Sequence, residues 1–294
     1  MSALAAPSRR RSDALIEGDY LFTARNFEQI AEALRAHSGI ALSEGKATLV
    51  YSRLAKRVRK LGLPDFDAYC ALIETPDGAA ERNEMLAALT TNVTRFFREP
   101  HHFEHLRRAV GPRLIHAAKS GARVRLWSAA CSSGEEPYSI ALTLLDMFPE
   151  VARHDVRILA TDIDPNIVAK AKAGIYREDA VAPIAQPMRE RWLSVERGGA
   201  EKMWRVKDEV RALITFKELN LIGEWPMRGR FDVIFCRNVV IYFEEETQAF
   251  LWNRFKNLLT PDGRLFIGHS ERIEMPGYVS DGLTIYKLAQ GGGR

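Results

Sequence analysis

The sequence predicts an α/β fold, with a mostly parallel sheet, an antiparallel edge strand, a helical domain before the sheet and a small antiparallel β-subdomain inserted in it. Three observations predict this. The segment Phe231 to Phe243, FDVIFCRNVVIYF, has ten apolar or aromatic residues among its thirteen, the pattern of a strand buried on both faces of a parallel sheet. From about Val124, the strand-like VRLWSAA, VRILATDID, FDVIFCRN and RLFIGHSE alternate with the helix-like PYSIALTLLDMF, NIVAKAKAGIY and TQAFLWNRFKNLL, as in a chain of βαβ units. Before that point only helical spacing occurs.

Residues 1–19 are expected to be a flexible tail. Their charges follow the small residues and no apolar stretch comes after, so they are not a secretory signal. Residues 20–95 are expected to be all-helical. In NFEQIAEALRAHSGI, Phe27, Ile30, Ala31 and Leu34 recur at helical spacing and Gly39 suits a helix stop. The next helix, about 44–61, gathers Val50, Leu54, Val58 and Leu61 on one face and Arg53, Lys56, Arg57 and Lys60 on another. DFDAYCALIET and AAERNEMLAALTT make two more, separated by the turn-forming Pro76-Asp77-Gly78. Residues 96–288 form the sheet domain. KMWRV and LITFKELN are read as strands of the inserted subdomain at about 190–219, and GRLFIGHSE with YVSDGLTIYKL as an antiparallel pair at one edge; 289–294 are a second flexible tail.

The composition, 46% hydrophobic and 27% charged over 294 residues, is that of a soluble globular protein. No run approaches the roughly 18 apolar residues of a membrane helix. Three scattered cysteines without a CxxC pair exclude a disulfide frame and a zinc site and fit a cytoplasmic location. A net charge of +4 is too mild to imply nucleic acid, although Lys46 to Pro64 holds six basic residues and no acidic one.

In open α/β sheets the ligand lies beyond the carboxyl ends of the strands, where Arg237 and Asn238 emerge. The first strand–helix junction, WSAACSSGEEPYS, has one glycine and then Glu135 and Glu136. A phosphate cradle needs more glycine, and two acids there would repel a pyrophosphate and welcome a cation. The second strand ends in TDID, with Asp162 placed 27 residues after Glu135, near the separation at which an acid takes a ribose diol. Asp164 reads as local turn chemistry with Pro165. An adenosine, an acidic pocket and no phosphate cradle together suit S-adenosylmethionine. TNVTRFFREPHHF contributes Asn92, Thr94 and Arg98 from the domain junction, and Asn220-Leu221 offers an amide and an apolar contact to the adenine. His101, His102 and His105 lack a completing ligand at recognisable spacing, so no metal is expected, and no GxSxG turn supports a hydrolase.

Taken together, ALTTNVTRFFREPHHF, WSAACSSGEEPYSIA, TDIDPNIVAKAKAGIY, KELNLI, FCRNVVIYF and GRLFIGHSE resemble the CheR family of chemotaxis receptor glutamate methyltransferases, in order, from about residue 20 to 288. The resemblance implies a Rossmann-like class I methyltransferase domain with S-adenosylmethionine against Asn92, Thr94, Arg98, Glu136, Asp162, Asn220, Leu221, Arg237 and Asn238. It favours Glu136 over Glu135 as the acid facing the methionine amino group, and it sets Arg98 and Tyr242 near the reacting carboxylate. The implied reaction converts receptor glutamates to methyl esters, leaving S-adenosylhomocysteine, for sensory adaptation. Arg53, Lys56, Arg57 and Lys60 would then dock the glutamate-rich receptor helices, and the β-subdomain, with its hairpin at Gly198-Gly199, would take a receptor tail peptide by strand addition. The protein is expected to be a cytoplasmic monomer that neither binds nucleic acid nor enters a membrane. Two alternatives stand beside this: a non-catalytic S-adenosylmethionine-sensing module that binds receptors, and a nucleic-acid methyltransferase, disfavoured by the lack of an NPPY-like motif after the strand carrying Arg237.

Overall fold

The computed structural model describes residues 13–90, 92–196 and 201–289. The chain divides into two units, Met1–Thr91 and Asn92–Arg294. The first opens with a hairpin of β1 (Ala14–Glu17) and β2 (Leu21–Thr23), which pairs Ile16 with Phe22. Residues 14–17 belong to the stretch expected to be a flexible tail and Leu21–Thr23 to the stretch expected to be all-helical, so both expectations are corrected there. The chain can reverse there because Gly18 lies against the Tyr51 hydroxyl, where a Cβ would stand only 2.0 Å away. Phe22 then buries completely, with its ring 4.7 Å from that of Phe66.

Thr23 caps α1 (Ala24–Ser38) in a reciprocal box with Asn26, and Gly39 ends the helix at φ 77°, a left-handed conformation that glycine adopts without strain. α2 (Ala47–Lys60) turns Val50, Leu54 and Val58 inward, whereas Leu61 lies beyond its end and is exposed. α3 (Phe66–Glu74) starts at the Asp65 cap, and α4 (Ala79–Leu89) follows the Pro76–Gly78 turn. Ile30, Leu34, Val50, Leu54, Phe66, Tyr69 and Met85 are buried among these elements, each large apolar side chain stabilising the unit by about 1.5–3 kcal/mol.

The second unit begins with α5 (Pro100–His105) and α6 (Gly111–Lys119), joined through a π-helical turn at Leu106–Val110. There follow β3 (Val124–Ala129), α7 (Glu135–Met147), β4 (Val156–Asp162), α8 (Pro165–Ala173), β5 (Ile175–Arg177), α9 (Glu178–Val181), α10 (Gln186–Trp192), β6 (Leu193–Glu196), β7 (Met203–Val206), α11 (Asp208–Arg211), β8 (Ile214–Glu218), β9 (Phe231–Cys236), α12 (Glu245–Leu258), β10 (Leu259–Ile267), β11 (Tyr278–Gly282) and β12 (Ile285–Leu288). Seven strands form one sheet in the order β11-β12-β10-β9-β3-β4-β8. Five of them, β10 to β8 in that order, run parallel, and the β11–β12 hairpin adds antiparallel pairing at one edge.

The sheet departs from expectation in one region. LITFKELN, expected in the inserted subdomain, supplies β8, which pairs parallel with β4 from Ile158↔Ile214 to Asp162↔Glu218. As an edge strand with one partner, β8 needs fewer apolar residues and therefore reads like a strand of a small sheet. The separate three-stranded sheet is β5-β7-β6. Its β5 comes from residues expected to end the preceding helix. Gly174, at φ 64°, stops α8 and releases Ile175–Arg177. The Gly198-Gly199 hairpin lies outside the described residues, as do 1–12 and 290–294.

The sheet starts at β3, extends through β4 to β8, and resumes on the other side of β3 with β9. The strand order thus reverses between β3 and β9, the position at which doubly wound sheets bind ligands. Trp127 anchors the base of this crevice, fully buried, with its indole N–H donating to Thr161 Oγ1 at 2.9 Å. Phe235 and Phe266 stack across β9 and β10 at 4.3 Å. No helix among the described residues is long and apolar enough to cross a membrane.

Candidate active site

The turn after β3 is where a phosphate cradle would lie. Ala130, Ser132 and Gly134 all have positive φ. The N–H groups of Ala130, Cys131, Ser132 and Gly134 are used inside the protein. The N–H groups of Ala130 and Cys131 donate to the Thr161 carbonyl at 2.8 Å, and that of Ser132 donates to Asp162 Oδ2 at 2.8 Å. Gly134 must be glycine, because a Cβ would meet the Tyr176 hydroxyl at 2.8 Å.

Asp162 ends β4 and is almost fully buried. Besides Ser132, its Oδ1 accepts the Asp164 N–H at 3.2 Å. Burial raises its pKa and these backbone donors oppose the rise. The Ile163 N–H lowers the pKa as well, and since a carboxylate has about four acceptor sites, Asp162 keeps acceptor capacity for a ligand hydroxyl. Asp164 itself caps α8 by accepting from Asn166 and Ile167. Asn92 Oδ1 accepts from Ser132 Oγ at 3.5 Å, and Asn220 lies one residue past Leu219, whose N–H donates to the Asp162 carbonyl. The structure therefore gathers Asn92, Asp162 and Asn220 around one turn. Leu221, next to Asn220, is buried, and its carbonyl accepts from Trp225 Nε1 and Arg254 Nη1.

A second group forms around Arg237, whose side chain is 2% exposed. Its Nη1 donates to Glu136 Oε2 at 2.9 Å, its Nη2 donates to the Arg98 carbonyl at 2.5 Å, and that same nitrogen lies 3.4 Å from Glu99 Oε2. Glu136 Oε1 accepts from Ser128 Oγ at 2.6 Å. Burial raises the pKa of Glu136, against the pull of Arg237. Glu99 is also desolvated, yet Arg237 and His269 outweigh burial and hold it down to about 2. Glu135 turns away and accepts from Ser133 Oγ. Arg237 thus serves the protein's own carboxylates, where the sequence reading had it facing the ligand.

Phe97 and Glu99 both have positive φ, and this bent backbone delivers the Arg98 carbonyl to Arg237. The Arg98 guanidinium donates to the Val93 carbonyl at 2.9 Å. Thr94 is half-buried in the same segment. Asn238, also left-handed at φ 58°, donates through Nδ2 to Glu99 Oε1 at 3.4 Å. Tyr242 is half-buried in the short turn Val240–Tyr242 that follows. Glu99, His101 and His102 bring one ligand atom each within 4.8 Å of one another. Arg237 Nη2 lies 3.4 Å from Glu99 Oε2, and its positive charge opposes a cation beside that carboxylate.

Sequence reasoning missed Ser128, Glu99 and Glu271. Glu271 accepts backbone N–H groups from the loop that carries Asn238. The only signal was position, since each lies at the carboxyl end of a strand or in the junction segment.

The docking stripe needs correction. On α2, Arg53 Nη1 donates to the carbonyls of Ala88, Leu89 and Thr90, capping the end of α4. Arg57 forms a forked pair with Glu81 at 3.0 and 2.6 Å and reaches Glu84 at 2.7 Å. These two arginines hold the helical unit together. Lys56 and Lys60 are exposed.

A doubly wound sheet with carboxylates at its switch point and a first turn closed to phosphate has the architecture of the S-adenosylmethionine-dependent methyltransferases, and the donor set fits an adenosine without phosphates. Family models agree. Residues 92–281 match the CheR methyltransferase, SAM binding domain, and residues 25–90 match the CheR methyltransferase, all-alpha domain. A probable chemotaxis protein methyltransferase of Rhizobium etli is 55% identical over 87% of this chain and 96% of its own length. The chemotaxis protein methyltransferase of Escherichia coli is 39% identical over 90% and 91%, and chemotaxis protein methyltransferase 2 of Pseudomonas aeruginosa is 38% identical over 96% and 100%. This chain belongs to the CheR methyltransferase family and is an S-adenosylmethionine-dependent methyltransferase.

Proposed function

We propose that this chain methylates glutamate side chains of chemoreceptors, leaving glutamate methyl esters and S-adenosylhomocysteine, with the roles that follow. The observation that carries the reading is the turn after β3, most of whose N–H groups are spent inside the protein, set against a buried carboxylate that keeps acceptor capacity. Asp162 takes the ribose hydroxyls, and Asn220 and Leu221 take the adenine. Asn92, Thr94, Arg98, Glu136 and Asn238 line the rest of the pocket. Glu136 meets the amino group of the methionine part, and Arg237 acts through it as a positioning residue. Arg98 and Tyr242 border the substrate carboxylate.

When bound, S-adenosylmethionine supplies a methyl group on a positively charged sulfur. The substrate glutamate, with a pKa near ~4.3, is already ionised at neutral pH. No general base is needed, and the protein has only to align the carboxylate and exclude water. Alignment of this kind supplies on the order of 7–11 kcal/mol. The Arg98 fork suits a carboxylate, and attraction between anion and cation strengthens in a site of low dielectric.

The reading is tested by incubating the protein with a chemoreceptor signalling fragment and methyl-labelled cofactor. Carboxyl methyl esters release labelled methanol in mild base; label that stays on the receptor after base contradicts ester formation. Asp162→Asn should weaken cofactor binding by about 1–3 kcal/mol, the scale for a charge-assisted hydrogen bond, and calorimetry that finds unchanged affinity contradicts the ribose assignment.

Receptor docking falls to Lys56 and Lys60, the exposed members of the stripe. A Lys56→Ala/Lys60→Ala variant should methylate receptor roughly tenfold more slowly at low salt, with less loss at high salt, because exposed charges steer association. Cofactor affinity should be unchanged, and an unaltered methylation rate removes α2 from the docking surface. Among the described residues the outer strand β6 of the three-stranded sheet pairs with β7 alone, and to its other edge we assign an extended receptor tail by strand addition. The protein acts as a monomer in this scheme.

A further inference from the structure

We infer that Glu271 is the positioning residue that pre-forms the loop after β9 and so fixes Asn238 in the cofactor pocket; the inference rests on the role proposed for Asn238. The strands β9 and β10 end side by side, with Ile267 opposite Cys236, so Gly268 and Arg237 leave the sheet together. Glu271 comes from the loop after β10 and is 4% exposed. Its carboxylate accepts the N–H groups of Asn238 at 3.1 Å, Val239 at 3.0 Å and Val240 at 2.9 Å, and the Gly268 N–H donates to it as well.

Three successive N–H groups converging on one point form a concavity that binds an anion. Here the anion is part of the protein. The arrangement holds Asn238 at φ 58°, a conformation that costs most residues energy and that asparagine tolerates. Packing is close at this point. A Cβ on Gly268 would lie 2.4 Å from Asn238 Nδ2 and 2.9 Å from Glu271 Oε2. Glu99, on the far side, accepts from Asn238 Nδ2. The Asn238 side chain is thereby aimed before any ligand arrives, and a pre-aimed group avoids the ordering cost of binding.

The test uses Glu271→Gln. The amide has one acceptor oxygen and presents an NH2 to N–H groups that need acceptors. With S-adenosylhomocysteine as the probe, calorimetry well below the melting temperature should find binding weakened by about 10–100-fold, the usual range when an orienting partner is lost. At saturating cofactor, kcat should stay within about twofold, so the defect appears in the cofactor KM. A purely structural role would lower the melting temperature and leave both constants alone, and wild-type affinity in the variant overturns the inference. Asn238→Ala is measured alongside. If it binds weakly while Glu271→Gln binds normally, only the role of Glu271 fails; if both bind normally, the role of Asn238 fails too. Should Glu271→Gln not fold, the wild-type protein decides. Its Val239 and Val240 amides should resist hydrogen exchange without cofactor, and protection gained only on cofactor binding contradicts a pre-formed loop.

Discussion

Arg237→Ala should destabilise the protein by about 3–5 kcal/mol, the cost of leaving buried charge without its partner. The arginine lies between Glu136 at 2.9 Å and Glu99 at 3.4 Å, with all three side chains no more than 11% exposed. Without it, two carboxylates share a dry site and the Arg98 carbonyl loses its donor. In a domain of this size each kcal/mol moves the melting temperature by about 2–4 °C, so a fall of roughly 6–20 °C is expected. A second substitution, Glu136→Gln, should recover part of the loss by removing one of the stranded charges. Neighbours in such networks couple by about 0.5–3 kcal/mol. Thermal and urea denaturation of the two single variants and the double variant measure this. A loss below about 0.5 kcal/mol, the range of ordinary surface substitutions, contradicts a buried triad.

Arg98→Ala should lower kcat/KM for receptor by about 10²–10³-fold, the usual cost of removing one positioned donor at a reacting centre. Its fold should survive. The guanidinium makes a hydrogen bond to the Val93 carbonyl, worth about 1 kcal/mol, and the contact to Arg237 uses the backbone carbonyl, which alanine retains. Arg98→Lys should not rescue activity, because an ammonium lacks the planar fork. Circular dichroism and steady-state methylation, measured together, separate the two effects. Turnover within about threefold of wild type removes Arg98 from the reaction.

Much of this was legible in the sequence, for definite reasons. Interior parallel strands are buried on both faces, so β3, β4, β9 and β10 stand out as apolar runs, and the helices between them carry a 3.6-residue period. The misreadings were all at edges. β8 has one neighbour and β1 belongs to a two-stranded hairpin, while β5 is three residues long and hidden behind a helix that Gly174 stops. Site residues followed the same division. Asp162, Arg237 and Asn238 could be proposed from sequence because they lie at strand ends beside the switch point, and Glu136 because it opens the helix after β3. Glu99 and Glu271 were missed because an acid turned inward, onto Arg237 and His269 in one case and onto backbone N–H groups in the other, looks in sequence like any surface acid. The basic stripe failed for a related reason: Glu81, the partner of Arg57, lies 24 residues away on another helix, and local charge counting does not see it.

The proposed function places the cofactor at the switch point with its ribose on Asp162. A crystal structure of the complex with S-adenosylhomocysteine tests it most directly. Both ribose hydroxyls should lie within hydrogen-bond distance of the Asp162 carboxylate, with the Ala130–Gly134 turn still bonded to Thr161 and Asp162. A ribose held by other residues, with the Asp162 carboxylate still held by backbone N–H groups of its own loops and by no ribose hydroxyl, would contradict that placement.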